Sequence, residues 1–326
     1  MRTVSLVLLL LWAFPTMAQE RIRLVTYNVE NLFDCKDDSL TSDETFLPTS
    51  LRHWSEYRYW NKLHAISRAL TAIGGDRAPE LVALCEVEND SVLYDLTRRS
   101  SLRTIRYDYL VTSSADPRGI DVALLYKPTT YRPFTHKVLR LPPDQIDEGT
   151  HTRDVLCVSG ELVTGDTLDV LVCHLPSRLN GRKSTRLRQR VVSLMCSAID
   201  SISALRAMPH IVVMGDFNDT PDKPALRPLF DNGRMVCITG KLSGSYRYKG
   251  QWEQIDHVYL SPKLIDSTHT LHLSPRGAWV ATYDFLIEPE PLYGGCRPLR
   301  TYNGMRYLGG TSDHLPVCFD LQFLFH

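Results

Sequence analysis

The chain has 326 residues, and its 37 Lys and Arg balance 37 Asp and Glu, so the formal net charge is zero. A hydrophobic fraction of 43% and a charged fraction of 23% are those of an ordinary globular protein, which excludes a low-complexity or intrinsically disordered chain. With no overall positive field, any polyanionic partner has to be held by local basic patches.

In chain order, Arg2 precedes the apolar run Val4 to Phe14 and then Pro15, Thr16, Met17 and Ala18. A basic start, an apolar core too short to cross a bilayer and small residues before the cut describe a secretory signal peptide, residues 1–18, with Gln19 as the first mature residue. No later apolar run approaches the roughly 18 residues of a membrane helix. Residues 19–326 are therefore expected to form one soluble domain, secreted or periplasmic and monomeric. Strands are expected at 22–27, 81–85, 122–126, 155–163, 168–173, 211–214, 257–260 and 317–323. Two helices show apolar stripes, one through Tyr59, Leu63, Ile66, Leu70 and Ile73, the other through Val191, Met195, Ala198, Ile202 and Leu205. Strands 155–163 and 168–173 read as a hairpin across Thr164-Gly165-Asp166, so the sheets are mixed, with helices outside. The fold class is α/β, a four-layer sandwich with two mixed central β-sheets flanked by helices. Two loops, 34–55 and 285–311, are long enough to suggest function. Of eight cysteines, Cys85, Cys157, Cys173 and Cys318 lie in apolar strands as small hydrophobes, leaving Cys35 and Cys296 as loop thiols free to pair.

Chemistry is concentrated where apolar runs end in polar groups: Thr26-Tyr27-Asn28, Leu84-Cys85-Glu86, Val172-Cys173-His174, Gly215-Asp216-Phe217-Asn218 and Thr311-Ser312-Asp313-His314. One such ending is ordinary turn chemistry. Five with complementary side chains describe groups delivered rigidly to one sheet edge, as α/β enzymes build sites.

These segments, with Ile255-Asp256-His257, occur in an order that resembles the endonuclease/exonuclease/phosphatase family, deoxyribonuclease-like members included, over nearly the whole mature chain. The resemblance implies the sandwich fold and metal-dependent phosphodiester cleavage by an activated water. Carboxylates and amides suit Mg²⁺ or Mn²⁺ better than zinc. Glu86 is the first candidate metal ligand, Asn28 holds the phosphate or completes the shell, and Asp313 reaches metal or phosphate. Asp216 orients or deprotonates the water, and Asn218 hydrogen-bonds the charge growing on phosphorus. The resemblance pairs His314 with Asp256, and His174 with Asp154, which stands where related enzymes carry Glu.

Substrate signals are the basic run Arg178, Arg182, Lys183, Arg186, Arg188 and Arg190, together with Arg118 before a strand. Read as contacts to a phosphate backbone, they point to a nuclease of little sequence preference; read as a solvated helix start, they point nowhere. A phospholipid or sphingomyelin phosphodiesterase, an inositol-phosphate phosphatase, and an inactive binding module are the alternatives.

Overall fold

The structure, a computed structural model, describes residues 20–148 and 150–323, so the expected signal peptide lies outside the described residues. In chain order come β1 (Glu20–Leu32), α1 (Glu56–Gly74), β2 (Leu81–Val87), the short α2 (Asp90–Tyr94), β3 (Asp108–Val111), β4 (Asp121–Tyr126), β5 (Tyr131–Leu139), β6 (Val155–Leu162) and β7 (Thr167–His174). They are followed by α3 (Arg182–Leu205), β8 (Ile211–Asp216), β9 (Val236–Cys237), the hairpin β10 (Tyr246–Tyr248) and β11 (Gln251–Glu253), β12 (Asp256–Leu260) and α4 (Pro262–Ile265). The chain closes with β13 (His272–Leu273), β14 (Trp279–Val280), two small hairpins, β15 (Ile287–Pro289) with β16 (Cys296–Pro298) and β17 (Tyr302–Asn303) with β18 (Arg306–Tyr307), and β19 (Val317–Phe323).

One sheet has the order β13-β19-β1-β2-β4-β3, with β14 also on β19, and the other runs β5-β6-β7-β8-β12-β9. Each is mixed for the same reason. In the first, β1 and β2 are parallel and joined across α1; in the second, β7 and β8 are parallel and joined across α3. Period-2 alternation decides which residues meet between the sheets. Ile22, Leu24, Leu81, Ala83 and Cys85 face Leu156, Val158, Val170, Val172, Val212 and Met214 in a shared buried layer. The intervening residues Val25, Tyr27, Val82 and Leu84 pack under α1, while Leu171, Cys173, Ile211 and Val213 pack under α3. This is the expected four-layer sandwich.

The helix stripe on α3 starts earlier than its sequence suggests, at Leu187, and Leu205 is left exposed. Strand β5 escapes a hydrophobic pattern because it is an exposed edge, where Pro133 is tolerated beside a register shift. All eight cysteines are free thiols, Cys35 and Cys296 included. Both long loops are ordered: buried Trp54 donates its indole N–H to the Phe33 carbonyl at 3.1 Å, and 285–311 carries the two small hairpins.

The first and last strands of the core are joined by charge as well as register. Arg23 grips Asp320 with two hydrogen bonds, Nε to Oδ1 at 2.8 Å and Nη2 to Oδ2 at 2.9 Å, and donates to the Ile73 carbonyl at 2.6 Å. Both side chains are buried. Removing one partner strands the other charge in the interior, so Asp320→Ala is expected to cost about 3–5 kcal/mol of stability, read by urea unfolding.

Candidate active site

Strand register sets the site. His174 lies opposite Asp216 across the parallel pair, and Asp216 lies opposite Asp256 across the antiparallel one, so three functional side chains stand in one row. Asn28 and Glu86 arrive beside them on β1 and β2, whose residues 28 and 85 are paired. Gly215 allows the row to close: its φ is +150°, and a Cβ there would lie 1.8 Å from the Cys173 carbonyl oxygen. The segment before β19 completes the ring, with Ser312 Oγ donating to the Asn28 carbonyl at 2.7 Å and accepting the His314 N–H at 3.0 Å.

Asp216 is the hub. Its Oδ1 accepts the Asn218 N–H at 2.8 Å, and its Oδ2 accepts from Asn28 Nδ2 at 3.0 Å. The same Oδ2 lies 3.5 Å from His174 Nε2 and 3.9 Å from His314 Nε2. On the far side of His314, Nδ1 is 2.7 Å from Asp256 Oδ2, which also accepts the Ser245 hydroxyl at 2.5 Å. The His314 ring rests on Tyr246, with centroids 4.9 Å apart.

The two imidazoles are driven in opposite directions. Burial lowers both, but at His314 the adjoining carboxylate of Asp256, then that of Asp216, outweighs it and holds the ring protonated well above the ordinary histidine range. At His174 burial is reinforced by the positive charges of Arg153 and Arg118, and the ring stays neutral. Burial, and then the charge of Asp256, pushes the Asp216 carboxyl up to about 7. An imidazolium, a neutral imidazole and a carboxyl poised near neutrality thus stand within hydrogen-bonding reach of one spot, which is how environment separates acid from base.

Glu86 has a left-handed backbone (φ 65°) that turns its carboxylate into the cleft, where Oε2 accepts the Asn31 N–H at 2.9 Å and Oε1 is 3.3 Å from Asn28 Nδ2. Glu30, Asn31 and Asn218 share that strained conformation and line the same cleft. Among the described residues, no Lys or Arg pairs with Glu86 or Asp216; only imidazoles approach them. Oxygen donors left without a cation fit a hard divalent ion. The tightest grouping of prospective ligands, Asp216, Asp256 and His314 within 4.8 Å, is already closed by the Asp256–His314 hydrogen bond. Glu86, free of any Lys or Arg, is therefore the better candidate to hold an ion, whereas Asp313 already pairs with Arg300. Asn28, expected at the phosphate or the ion, is buried behind the cleft: its Oδ1 accepts the Glu30 N–H at 2.9 Å, and its amide N–H₂ group donates to Asp216 Oδ2 at 3.0 Å and to Glu86 Oε1 at 3.3 Å.

The cleft encloses about 640 Å³. Of the residues expected at the site, Glu86, His174, Asp216, Asn218, Asp313, His314, Arg118 and Arg178 line it. Asn218 uses one amide hydrogen on the Leu175 carbonyl at 3.0 Å, leaving the second for the cleft. Asp313 pairs with Arg300 at 3.1 Å. Asp154 does not support His174: it forms an ion pair with Arg140 at 2.7 Å, while His174 Nδ1 has no hydrogen-bond partner. The shorter Asp side chain is spent on a different cation. Nor does the basic run track the cleft. Arg188 is buried against Asp219 at 3.0 Å, Arg190 binds Asp147, and Arg178 is held by Glu253. Arg182 and Arg186 are exposed outside the cleft, Arg186 lining a separate groove with Pro142 and Gln145.

Sequence reading missed Lys62. Its buried ammonium donates to the Glu30 carbonyl at 2.8 Å, to Thr301 Oγ1 at 2.5 Å and to the Thr311 carbonyl at 2.6 Å, with the Glu30 carboxylate 3.9 Å away. It thereby ties the turn after Asn28 to the segment that carries His314. The available signal was position: Lys62 lies three residues after Tyr59 and next to Leu63, on the buried face of α1.

A sequence model described as the Endonuclease/Exonuclease/phosphatase family matches residues 23–322. No curated protein matches the chain by sequence. Among solved structures, an endonuclease/exonuclease/phosphatase family protein from Bacteroides thetaiotaomicron superposes with a TM-score of 0.59 at 16% identity, covering 94% of this chain and 99% of that one. The human nocturnin catalytic domain with bound sulfate gives 0.59 at 15% identity, with 94% and 97% covered. A Bacteroides thetaiotaomicron mannosyl-6-phosphatase gives 0.57 at 17%, with 92% and 99% covered. At such identities the likeness shows the fold.

Since the charge of Asp256 holds His314 protonated, Asp256→Asn is expected to bring the imidazole titration down to or below the ordinary range near 6.5, followed by NMR of the His314 ring protons. A titration that stays well above that range would mean that the proton is held by Asp216 or Asp313.

Proposed function

The chain belongs to the endonuclease/exonuclease/phosphatase family of hydrolases, and on that premise we propose that it is a divalent-metal-dependent phosphoric-ester hydrolase acting on a substrate compact enough to enter the cleft. The observation that carries this reading is the row His174, Asp216 and Asp256, with His314 bridging the two carboxylates and Glu86 facing it without a cationic partner. A Mg²⁺ or Mn²⁺ ion held by Glu86 would neutralise charge on the phosphoryl group.

The chain's own residues supply the rest of the proposed reaction. Ionised Asp216 takes the proton of the attacking water at Oδ2. Neutral His174 orients that water, while the Asn28 amide, bonded to both Asp216 and Glu86, holds the two carboxylates in position. His314, kept charged by Asp256, faces the negative charge that grows on the phosphoryl oxygens, and the free amide hydrogen of Asn218 adds a second donor.

A nuclease acting on a phosphate backbone uses the same chemistry, and the sequence favoured it. Its support was the run Arg178 to Arg190, whose cations are paired or lie outside the cleft, as described above. A volume of about 640 Å³ falls in the range of small-molecule pockets, and one fold relative is named as a mannosyl-6-phosphatase. A compact phosphoester or a chain end is therefore the substrate class proposed. We also place the enzyme outside the cytoplasm, on the pattern of residues 1–18 alone; purified mature protein would then begin at Gln19, as mass spectrometry would read.

Chelator is expected to abolish hydrolysis, and Glu86→Gln to lower kcat/KM by roughly 100-fold or more at fixed Mg²⁺. Undiminished turnover of that variant in chelator would remove the metal from the reading. Replacing Arg182, Lys183 and Arg186 together by Gln is expected to leave KM for a compact phosphoester within about twofold, because surface charges outside the cleft contribute little; a large rise in KM on DNA or RNA alone would restore the nuclease assignment.

A further inference from the structure

The phosphoryl machinery occupies only part of the cleft. Beyond His314 the wall is made by the hairpin β10–β11 and the turn after β7, and it differs in character from the rest. Tyr246 leans on His314, Tyr248 stands 51% exposed beside the opening, and Ile255 lies behind them. Leu179, in the turn after β7, lines the same cleft and projects with 91% of its surface exposed, a large apolar side chain with almost no packing of its own. The guanidinium on this side is neutralised, because Arg178 is spent on Glu253. One face of Tyr248 lies near Lys249, whose ammonium is 5.3 Å from the ring centroid.

Two tyrosines and an unsupported leucine, with the single ammonium of Lys249 over one ring, set next to a phosphoryl site, offer ring faces and apolar surface instead of a built pocket for a second phosphate. Such a wall suits a flat, uncharged ring, which a tyrosine face and a leucine can desolvate. We propose that this wall is the specificity subsite for the esterified alcohol, and that the substrate is the phosphoester of a ring-bearing alcohol whose ring lies between Tyr248 and Leu179. The inference rests on the hydrolase reading above and adds the identity of the leaving group. The polar rim fits ring hydroxyls or ring nitrogens equally: Ser177, the Arg178–Glu253 pair and the Tyr248 hydroxyl line the same space. Sugar phosphates and nucleoside monophosphates share the recognised chemistry, a ring face one ester linkage from phosphorus.

The test compares mannose 6-phosphate, adenosine 5′-monophosphate and the ringless glycerol 3-phosphate, with the mature protein and Mg²⁺. At least one ring ester is expected to exceed glycerol 3-phosphate in kcat/KM by tenfold or more, and the double substitution Tyr248→Ala, Leu179→Ser is expected to collapse that ratio toward one. Which ring ester leads identifies the source. Leu40→Ser, an exposed leucine elsewhere, is the control and leaves the ratio unchanged. In parallel, saturation-transfer NMR in chelator, where no turnover occurs, is expected to mark the ring protons of the bound ester in the wild type and to lose them in the double variant. Equal handling of all three esters, or a ratio indifferent to the double substitution, overturns the ring subsite. Absence of hydrolysis on every ester with ring saturation intact instead removes the hydrolase reading and leaves the subsite standing.

Discussion

Lateral registration of β7, β8 and β12 is the constraint from which the rest follows. Because side chains alternate with a period of two along each strand, one residue of slip in any of the three would send its own member of the row His174, Asp216 and Asp256 to the opposite face, away from the other two. The register is held by the buried layers on both faces of the sheet, so the site inherits its rigidity from Val170, Val212, Val258, Leu171 and Val213. Gly215 is where packing and chemistry meet: the close approach to Cys173 requires a residue without a Cβ immediately before Asp216.

The second theme is unbalanced charge. Elsewhere in the core, buried charges are matched, as in Arg23 with Asp320 and Arg188 with Asp219. At the cleft the acids outnumber their partners. Burial, then the charge of Asp313, raises Glu30 to about 7, and burial lowers Lys62 to about 8 despite the acids around it. Carboxylates pressed together without enough cations are expensive to fold, and a fold keeps such an arrangement where an ion or substrate completes it.

Sequence carried the fold far, because the eight core strands are apolar runs bounded by turn residues and the two long helices carry clear stripes. It failed where local pattern and burial part company. Strand β5 faces solvent along most of its length and has no apolar alternation to read. At the site, Asn28, Glu86 and Asp216 were legible because each stands toward the end of a buried run, and His314 because it stands just before one. Partnerships were less so. His314 with Asp256 is as expected, whereas Asp154 is diverted by Arg140, a residue 14 positions away with nothing in its neighbourhood to mark it. The basic run misled for the same reason: a row of Arg looks alike in sequence whether its guanidinium groups face substrate or, as with Arg188, fold inward onto Asp219.

The clamp at Lys62 bears on the order in which the molecule comes into being. Its ammonium joins Glu30, 32 positions away, to Thr311, 249 positions away, and Arg23 waits for Asp320, 297 positions away. A growing polypeptide therefore emerges from the ribosome with Glu86, Asp216 and Asp256 already made and Asp313 and His314 still to come, so the ring around Asp216 cannot close until the segment before β19 has been added. Such long-range closure makes folding slow. The same geometry means that a chain cut short before Ser312 would lack the imidazole that bridges Asp216 and Asp256, and one cut between His314 and β19 would keep that imidazole without the strand that anchors its segment.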